Sequence, residues 1–464
     1  MNMKRISTFF LFCGIITAKA QTIPQQLANA IQKMEQHPQF AHATISLYVV
    51  ESNTNKIIYA HNEQTGLAPA STQKIFTSIA AYELLGKGYA YNTPVSFTGN
   101  INNGVLHGNL MLKGMGDPTL GSWRYPQTNR EAIVALIKTY LARQNIRQID
   151  GDIIISNGSF AYQPLPGGWI WDDIGNYYGA GSYGFNWNEN QYDLLLQPGK
   201  KVGDVVAITG TNPAVANFTI NNHLSTGKAG SGDHGYIYLA PYTNTGFVTG
   251  TVPAGVVQFT LSGALPNPAL QAGNELKEYF IAHNMPITGN VQVVNSTDST
   301  GPNIGYLTSP RLDSMMYFFL QKSINLYGEA FIKTMAAQQT GEGSTENGVK
   351  LLQNFWQARG IDAYALHMQD GCGLSPQNRV TTYAMVSAMQ YARNKDWFNS
   401  FYAALPLYNG TKMKSGTIGG AKAFTGYQTA KNGTVYTFAF IINNYNDAAG
   451  SVVPQMFKVL DILK

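Results

Sequence analysis

Ser71 and Lys74 stand three positions apart in APASTQKIFTSIAAYELLG, at the head of an apolar run. Residues three apart on a helix share a face, so Ser71 Oγ and Lys74 Nζ can meet without help from the rest of the fold. That pairing places a hydroxyl nucleophile beside an amine that can serve as its base. A second S-x-x-K, Ser225 and Lys228 in LSTGKAG, lies among glycines with no apolar helical run behind it. Two further stretches carry groups that a serine nucleophile with a lysine base would need: Ser323 and Asn325 in LQKSINLYGEAFIKTMA, and Lys414, Ser415 and Gly416 in GTKMKSGTIGG. The patterns S-x-N and K-[ST]-G each occur once, and they follow S-x-x-K in that order. Other serine and metal chemistries lack their usual marks, since the eight histidines form no H-E-x-x-H pair and no G-x-S-x-G turn occurs. Metal ligands and cofactors are therefore not expected.

These residues need a scaffold, and the spacing of apolar residues outlines it. Behind Ser71, the positions Ile75, Phe76, Ile79, Ala80, Leu84 and Leu85 predict a helix opening at Ser71. ATISLYVVES and NKIIYAH predict an N-terminal hairpin, AFTGYQTA and GTVYTFAFIINNY a second one turning through Asn432-Gly433, and VVPQMFKVLDILK a closing helix. Helices are also expected over Leu312 to Lys322 and Leu326 to Ala337, beside one antiparallel sheet built from N- and C-terminal strands. Ser71 and Ser323 are 252 positions apart, whereas Ser323 and Lys414 are 91 apart. If the three stretches line one cleft, a domain-sized insertion separates the first two. The segment from about 93 to 300 supplies it, with short β-type runs such as GDIIIS, YDLLLQ, VVAITG, GYIYLA and VVQFTLSG between Gly, Asn and Pro clusters. The expected organisation is a catalytic domain in two pieces, 21–92 and 301–464, interrupted at 93–300 by one or two small β-rich modules.

Composition agrees with a folded chain of several domains: 464 residues, 44% hydrophobic and 12% charged. Residues 1–20 begin with Lys4 and Arg5, continue through an apolar stretch, and end on Ala18 and Ala20 before Gln21, the pattern of a secretory signal peptide. The apolar stretch is too short for a membrane span. Removal of residues 1–20 lowers the formal charge of +5 by three, and no basic stripe suggests nucleic acid as a partner. The mature chain keeps one cysteine, Cys372, so an exported form has no internal disulfide, and this residue reads as a small packed side chain.

The ordered trio S-x-x-K, S-x-N and K-[ST]-G resembles the penicillin-binding serine peptidases. KGMGDPTL, GWIWDDIGNYYGA, DGCGLSPQNRVT and KSGTIGGAKAFTGY resemble successive blocks of the D-alanyl-D-alanine carboxypeptidase/endopeptidases of the penicillin-binding protein 4 type, peptidase family S13. Ile324 stands where that family usually has Asp, Cys372 where it has Ser, and Ser415 where Thr is commoner. The resemblance implies an α/β (α+β) fold of the penicillin-recognising transpeptidase and β-lactamase kind, with accessory domains inserted after the first motif. It implies catalysis by Ser71, Lys74, Ser323, Asn325 and Lys414, and substrate binding by Ser415, Gly416 and Thr417. It also implies a pocket of Trp169, Asp172 and Arg379 for a diaminopimelate side chain. The implied partners are peptidoglycan stem peptides and, as covalent inhibitors, β-lactams. The implied location is the periplasm, with weak membrane association left open along with the oligomeric state. A β-lactamase and a penicillin-binding scaffold with little turnover remain as alternatives, which rapid hydrolysis of a cephalosporin or loss of turnover would distinguish.

Overall fold

A computed structural model describes residues 21–158, 160–295 and 301–464; the expected signal peptide lies outside the described residues. The largest sheet has six antiparallel strands in the order Leu407–Tyr408, Thr411–Ile418, Ala421–Thr429, Val435–Asn443, Thr44–Glu51 and Ile57–His61. The first and last parts of the chain thus meet side by side, with Leu47 opposite Phe440 and Val49 opposite Phe438. Strands buried on both faces read as nearly continuous apolar runs, which is why TISLYVVE and VYTFAFIIN show little polar alternation. Ile45, Leu47 and Val49 face the terminal helices Ile23–Glu35 and Ala449–Leu460. Tyr48 and Val50 face the other way, into a core shared with helices Lys74–Leu84, Leu312–Gln321, Asn325–Thr340 and Thr382–Arg393. This helix–sheet–helix arrangement is the expected α/β class. The second hairpin turns as its sequence predicts: Ala430 N donates to Thr434 O at 2.8 Å, and Gly433 takes φ +84°.

The inserted segment carries the expected strands, and also two helices that the sequence reading did not place. Strands Val291–Val294, Ile153–Ser156, Leu110–Lys113, Asn92–Phe97 and Asn303–Thr308 form one five-stranded sheet. Its first and last members in the chain, Asn92–Phe97 and Asn303–Thr308, pair directly, so the chain enters and leaves the insertion along neighbouring strands, and the second of these lies beyond the expected bound at 300, in the stretch assigned from sequence to the catalytic domain. Helix Arg130–Arg143 buries Ile133, Val134, Ile137 and Leu141, and helix Pro268–Ala282 buries Ala269, Ala272, Leu276 and Phe280, in one core with that sheet. Both show the i, i+3, i+4 spacing of an amphipathic helix, a signal masked by the surrounding Gly- and Asn-rich runs. The runs YDLLLQ, VVAITG and VVQFTLSG form a three-stranded sheet. GYIYLA contributes to another, and the two share a core of Tyr192, Leu194, Ile237, Val248 and Leu261.

Candidate active site

The backbone around Ser71 departs from the expected helix start. Ala70–Gln73 is a 3₁₀ turn and the α-helix begins at Lys74. In a 3₁₀ turn residues i and i+3 eclipse, so the Ser71 to Lys74 pairing survives the change and tightens. Ala70 takes φ +47° while fully buried, a conformation that a Cβ disfavours. Gly373 comes close enough that a Cβ there would stand 2.0 Å from the Ala70 carbonyl oxygen. The turn is clamped from outside by the loop of residues 370–375.

Lys74 is fully buried, and its Nζ has three oxygen neighbours: Ser71 Oγ at 3.0 Å, Asn325 Oδ1 at 2.6 Å and the Cys372 carbonyl at 2.8 Å. Asn325 Nδ2 donates to the Tyr178 carbonyl at 2.8 Å, which fixes the amide with its oxygen toward Lys74. Burial pushes the Lys74 pKa down, against the opposing pull of Cys372, Asp370 and Glu329. Complete burial is the leading cause, and Lys414 is not among the groups that move it. A neutral amine has two N–H groups and one lone pair. The two carbonyl-type oxygens can take the N–H groups, and the lone pair is left for the Ser71 hydroxyl.

Ser323 and Asn325 are brought to this point by a tight junction between helices. Helix Leu312–Gln321 ends, Ser323 turns with φ +58°, Ile324 is extended, and helix Asn325–Thr340 begins. Ile324 sits half-buried against the main core, so the aliphatic side chain at this position is used in packing. Lys414 Nζ donates to Ser323 Oγ at 2.9 Å and to the Ser415 carbonyl at 2.8 Å. Its pKa lies well below the ordinary lysine value, first through burial and then through the nearby Lys74 and Lys422. Gly416 lies on the edge of strand Thr411–Ile418 where it passes the Ser71 turn; an added Cβ would be 2.5 Å from Pro69 O and 2.9 Å from Ser71 N. Lys422 Nζ donates to Thr417 Oγ1 at 2.7 Å, and burial lowers the Lys422 pKa to about 8. Lys422, on the neighbouring strand, was not singled out in the sequence.

The three motifs therefore converge, whereas Trp169, Asp172 and Arg379 are held separately. Trp169 Nε1 donates to Asp370 Oδ2 at 2.9 Å, tying the insertion to the 370–375 loop. Asp172 Oδ1 accepts from Tyr238 OH at 2.9 Å. Exposed Arg379 donates from Nη1 to the carbonyls of Pro376 and Asn378. Ser225 and Lys228, the second S-x-x-K, fall at the end of strand Thr219–Gly227 and just beyond it. A cleft of about 620 Å³ opens at Ser71, Ser323 and Asn325 and is lined by Thr417, Ile418, Tyr177 and Tyr178. Asp173, next to Asp172, also lines it, its carboxyl raised to about 6 by burial.

Glu329, Asp370 and Cys372 place one oxygen or sulfur atom each within 4.8 Å of one another behind Lys74. Their chemistry is poor for a cation. Burial raises the Glu329 carboxyl to about 8 and the Cys372 thiol well above its ordinary value, so both favour their protonated forms. Asp370 already accepts from Gly373 N, Ser375 N and Trp169 Nε1. The trio is a hydrogen-bonded support for the Cys372 carbonyl. Because Lys74 contacts that carbonyl, the side chain at 372 is free to be Cys.

A family model described as the D-Ala-D-Ala carboxypeptidase 3 (S13) family matches residues 27–461, and the chain belongs to that family. A D-alanyl-D-alanine carboxypeptidase from Actinomadura sp. (strain R39) is 24% identical over 463 residues, covering 94% of this chain and 84% of the relative. D-alanyl-D-alanine carboxypeptidase DacB from Haemophilus influenzae is 25% identical over 416 residues, 85% of this chain and 84% of that one. The crystal structure of penicillin binding protein 4 from Haemophilus influenzae shares the fold, with a TM-score of 0.80, 22% identity, and coverage of 94% of this chain and 99% of the other. The same protein complexed with a β-lactam matches with a TM-score of 0.74.

Two outcomes are expected from the site geometry. Gly416→Ala should force the strand away from the Ser71 turn and lower the rate of covalent penicillin labelling by about 10², the scale for displacing a reacting group by roughly an ångström. Thermal melting should show the variant still folded. Labelling should also slow as pH falls and Lys74 gains a proton, with the midpoint below an ordinary lysine value; stopped-time labelling across a pH series measures it.

Proposed function

We propose that the protein is an exported serine D,D-peptidase that cleaves D-Ala-D-Ala termini, D-Ala-diaminopimelate cross-links, or both, in peptidoglycan, and that penicillins acylate the same serine. The observation that carries this reading is the buried Lys74 amine, its Nζ 3.0 Å from Ser71 Oγ, 2.6 Å from Asn325 Oδ1 and 2.8 Å from the Cys372 carbonyl oxygen. Ser71 Oγ attacks the carbonyl carbon of the penultimate D-alanine while Lys74 takes the hydroxyl proton. The backbone N–H groups of Ser71 and Thr417 receive the developing oxyanion. The C–N bond then breaks, and the leaving amine takes a proton through Ser323, which Lys414 contacts at 2.9 Å. Water hydrolyses the acyl-enzyme, with the same lysine as base.

The substrate's terminal carboxylate is received by the hydroxyls of Ser415 and Thr417, with Lys414 and Lys422 behind them. A carboxylate there favours a proton on these depressed amines, so binding and protonation support each other. The reading of residues 1–20 as a signal peptide supports export to the periplasm.

Labelled penicillin should attach to the peptide containing Ser71, and Ser71→Ala should abolish both labelling and release of D-alanine. Lys74→Arg keeps a cation and removes the base, so acylation should fall by about 10² or more, while Lys414→Arg should cost less. Labelling that survives Ser71→Ala would reject the reading, and rapid turnover of a chromogenic cephalosporin would favour a β-lactamase. Mass analysis of digested peptidoglycan would separate loss of terminal D-alanine from loss of cross-linked dimers.

Trp169, Asp172 and Arg379 belong to the same proposal as readers of a diaminopimelate side chain. Asp172→Ala and Arg379→Ala should each lower kcat/KM on a diaminopimelate peptide by roughly 10- to 150-fold, the value of a charge-assisted hydrogen bond, and affect an acetyl-lysine analogue little. Equal losses on both peptides would remove these residues from the pocket.

A further inference from the structure

The cleft does not end at the three motifs. It continues to the insertion, where Arg124, Glu189 and Gln191 line it together with Lys322 and Ile324. Arg124 is held in place at this end. Its Nε donates to both oxygens of Glu189, at 2.9 and 3.1 Å, and its guanidinium carbon stands 5.1 Å over the Trp123 ring and 5.6 Å over the Phe318 ring. Glu189 is buried and committed inward, accepting from Ser122 Oγ at 2.7 Å and Tyr327 OH at 2.9 Å on Oε1. The outer end of the guanidinium is different. Among the described residues no protein group accepts from Arg124 Nη1 or Nη2, and the side chain keeps 21% exposure on the cleft.

The backbone that supplies Glu189 is strained. Asn188, Glu189 and Asn190 take φ of 52°, 51° and 53°, three consecutive residues with a Cβ in the left-handed region. Side chains hold them there: Asn190 Nδ2 donates to the Gly181 carbonyl at 2.8 Å and to Asn186 Oδ1 at 2.7 Å, and Asn188 Nδ2 to the Gln191 carbonyl at 2.8 Å. Strain that the surroundings over-determine is a signature of a positioned functional group. Here it sets a buried carboxylate under the inner edge of an arginine whose outer fork faces the cleft. Lys322 adds a second cation. It follows Phe318 by one helical turn, lines the same cleft, and its Nζ has no ion pair or hydrogen bond among the described residues. Glu189 is already committed, so this end of the cleft presents two cationic groups with donors to spare.

We infer that Arg124, assisted by Lys322, is a subsite for a free carboxylate borne by the peptide away from the scissile bond, separate from the terminal carboxylate received at Ser415 and Thr417. A guanidinium with Nε occupied and two Nη groups free matches a planar carboxylate acceptor. This subsite rests on the reading of the cleft as a peptide site. In a stem peptide the diamino acid carboxylate is already given to Arg379 in the proposed function, which leaves the carboxylate of a γ-linked glutamyl residue for this subsite, and the substrate is a chain in which that group is unamidated.

The test uses two pairs of synthetic peptides ending in D-Ala-D-Ala. One pair differs in a free or amidated glutamyl carboxylate, the other in a free or amidated diamino acid carboxylate. The wild-type protein should prefer the free acid in the glutamyl pair by roughly 10- to 150-fold in kcat/KM, and the diamino acid pair, assigned to Arg379, serves as the control. Replacing the arginine alone would leave Glu189 buried and unpaired, so the variant is the neutral pair Arg124→Gln with Glu189→Gln. In it the preference should shrink to about twofold, and Lys322→Gln should reduce it by less. A glutamyl preference unchanged in the double variant, or no preference by the wild-type protein in the glutamyl pair, would overturn the inference, and the wild-type measurement needs no variant to fold. Penicillin labelling of Ser71 is scored in parallel: labelling without a carboxylate preference rejects this subsite and leaves the peptidase reading intact, whereas absent labelling rejects the peptidase reading itself.

Discussion

An amine with no exposure to water is the constraint around which this structure is arranged. An isolated buried ammonium is costly, and burial lowers the pKa of Lys74 accordingly. A buried neutral amine still needs acceptors for its N–H groups, and they come from far apart in the chain: Asn325 from the start of one helix, Cys372 from a loop. Neither acceptor is free to move. Asn325 is held by the Tyr178 carbonyl, and the Cys372 loop by Asp370 and Glu329. The polar groups close to Lys74 thus form a network in which nearly every member has a partner, the condition under which a buried polar cluster adds order to a fold.

Strain collects at the same place. Ala70 and Ser323, one before the nucleophile and one within the second motif, both take left-handed backbone. Each costs stability, which the packing on either side offsets: the 370–375 loop closes over Ala70, and Ser323 is fixed between two helices whose apolar faces belong to the main core. The large core built from these helices and the six-stranded sheet holds the chain at two angles it would not choose.

The sequence exposes some of this and conceals the rest for physical reasons. Ser71, Lys74, Ser323, Asn325 and Lys414 were legible because side-chain types at short spacings carry them, and the sheet because Val-, Ile- and Phe-rich runs mark strands buried on both faces. The acceptors at Cys372 and Tyr178 are backbone carbonyls, which any residue supplies, so no letter in the sequence marks them. Lys422 meets Thr417 across the tight hairpin joining strands Thr411–Ile418 and Ala421–Thr429, and the pairing register that brings them together emerges only with the sheet. Arg124 and Glu189 lie 65 positions apart in an insertion whose folding brings them together. The helices Arg130–Arg143 and Pro268–Ala282 went unnoticed because they sit within a segment dominated by short strands and turns.

The bond from Asn325 to the Tyr178 carbonyl has a consequence for the order in which the molecule is completed. Tyr178 belongs to the insertion and Asn325 to the chain that follows it. Until the insertion has docked, the Asn325 amide has nothing to fix which way it faces. Until the loop at 372 closes, the lysine amine is open to water and carries an ordinary charge. A partly folded chain therefore presents an unremarkable serine beside an unremarkable ammonium. Reactivity is a property of the closed molecule, present only where its three separate stretches have found one another.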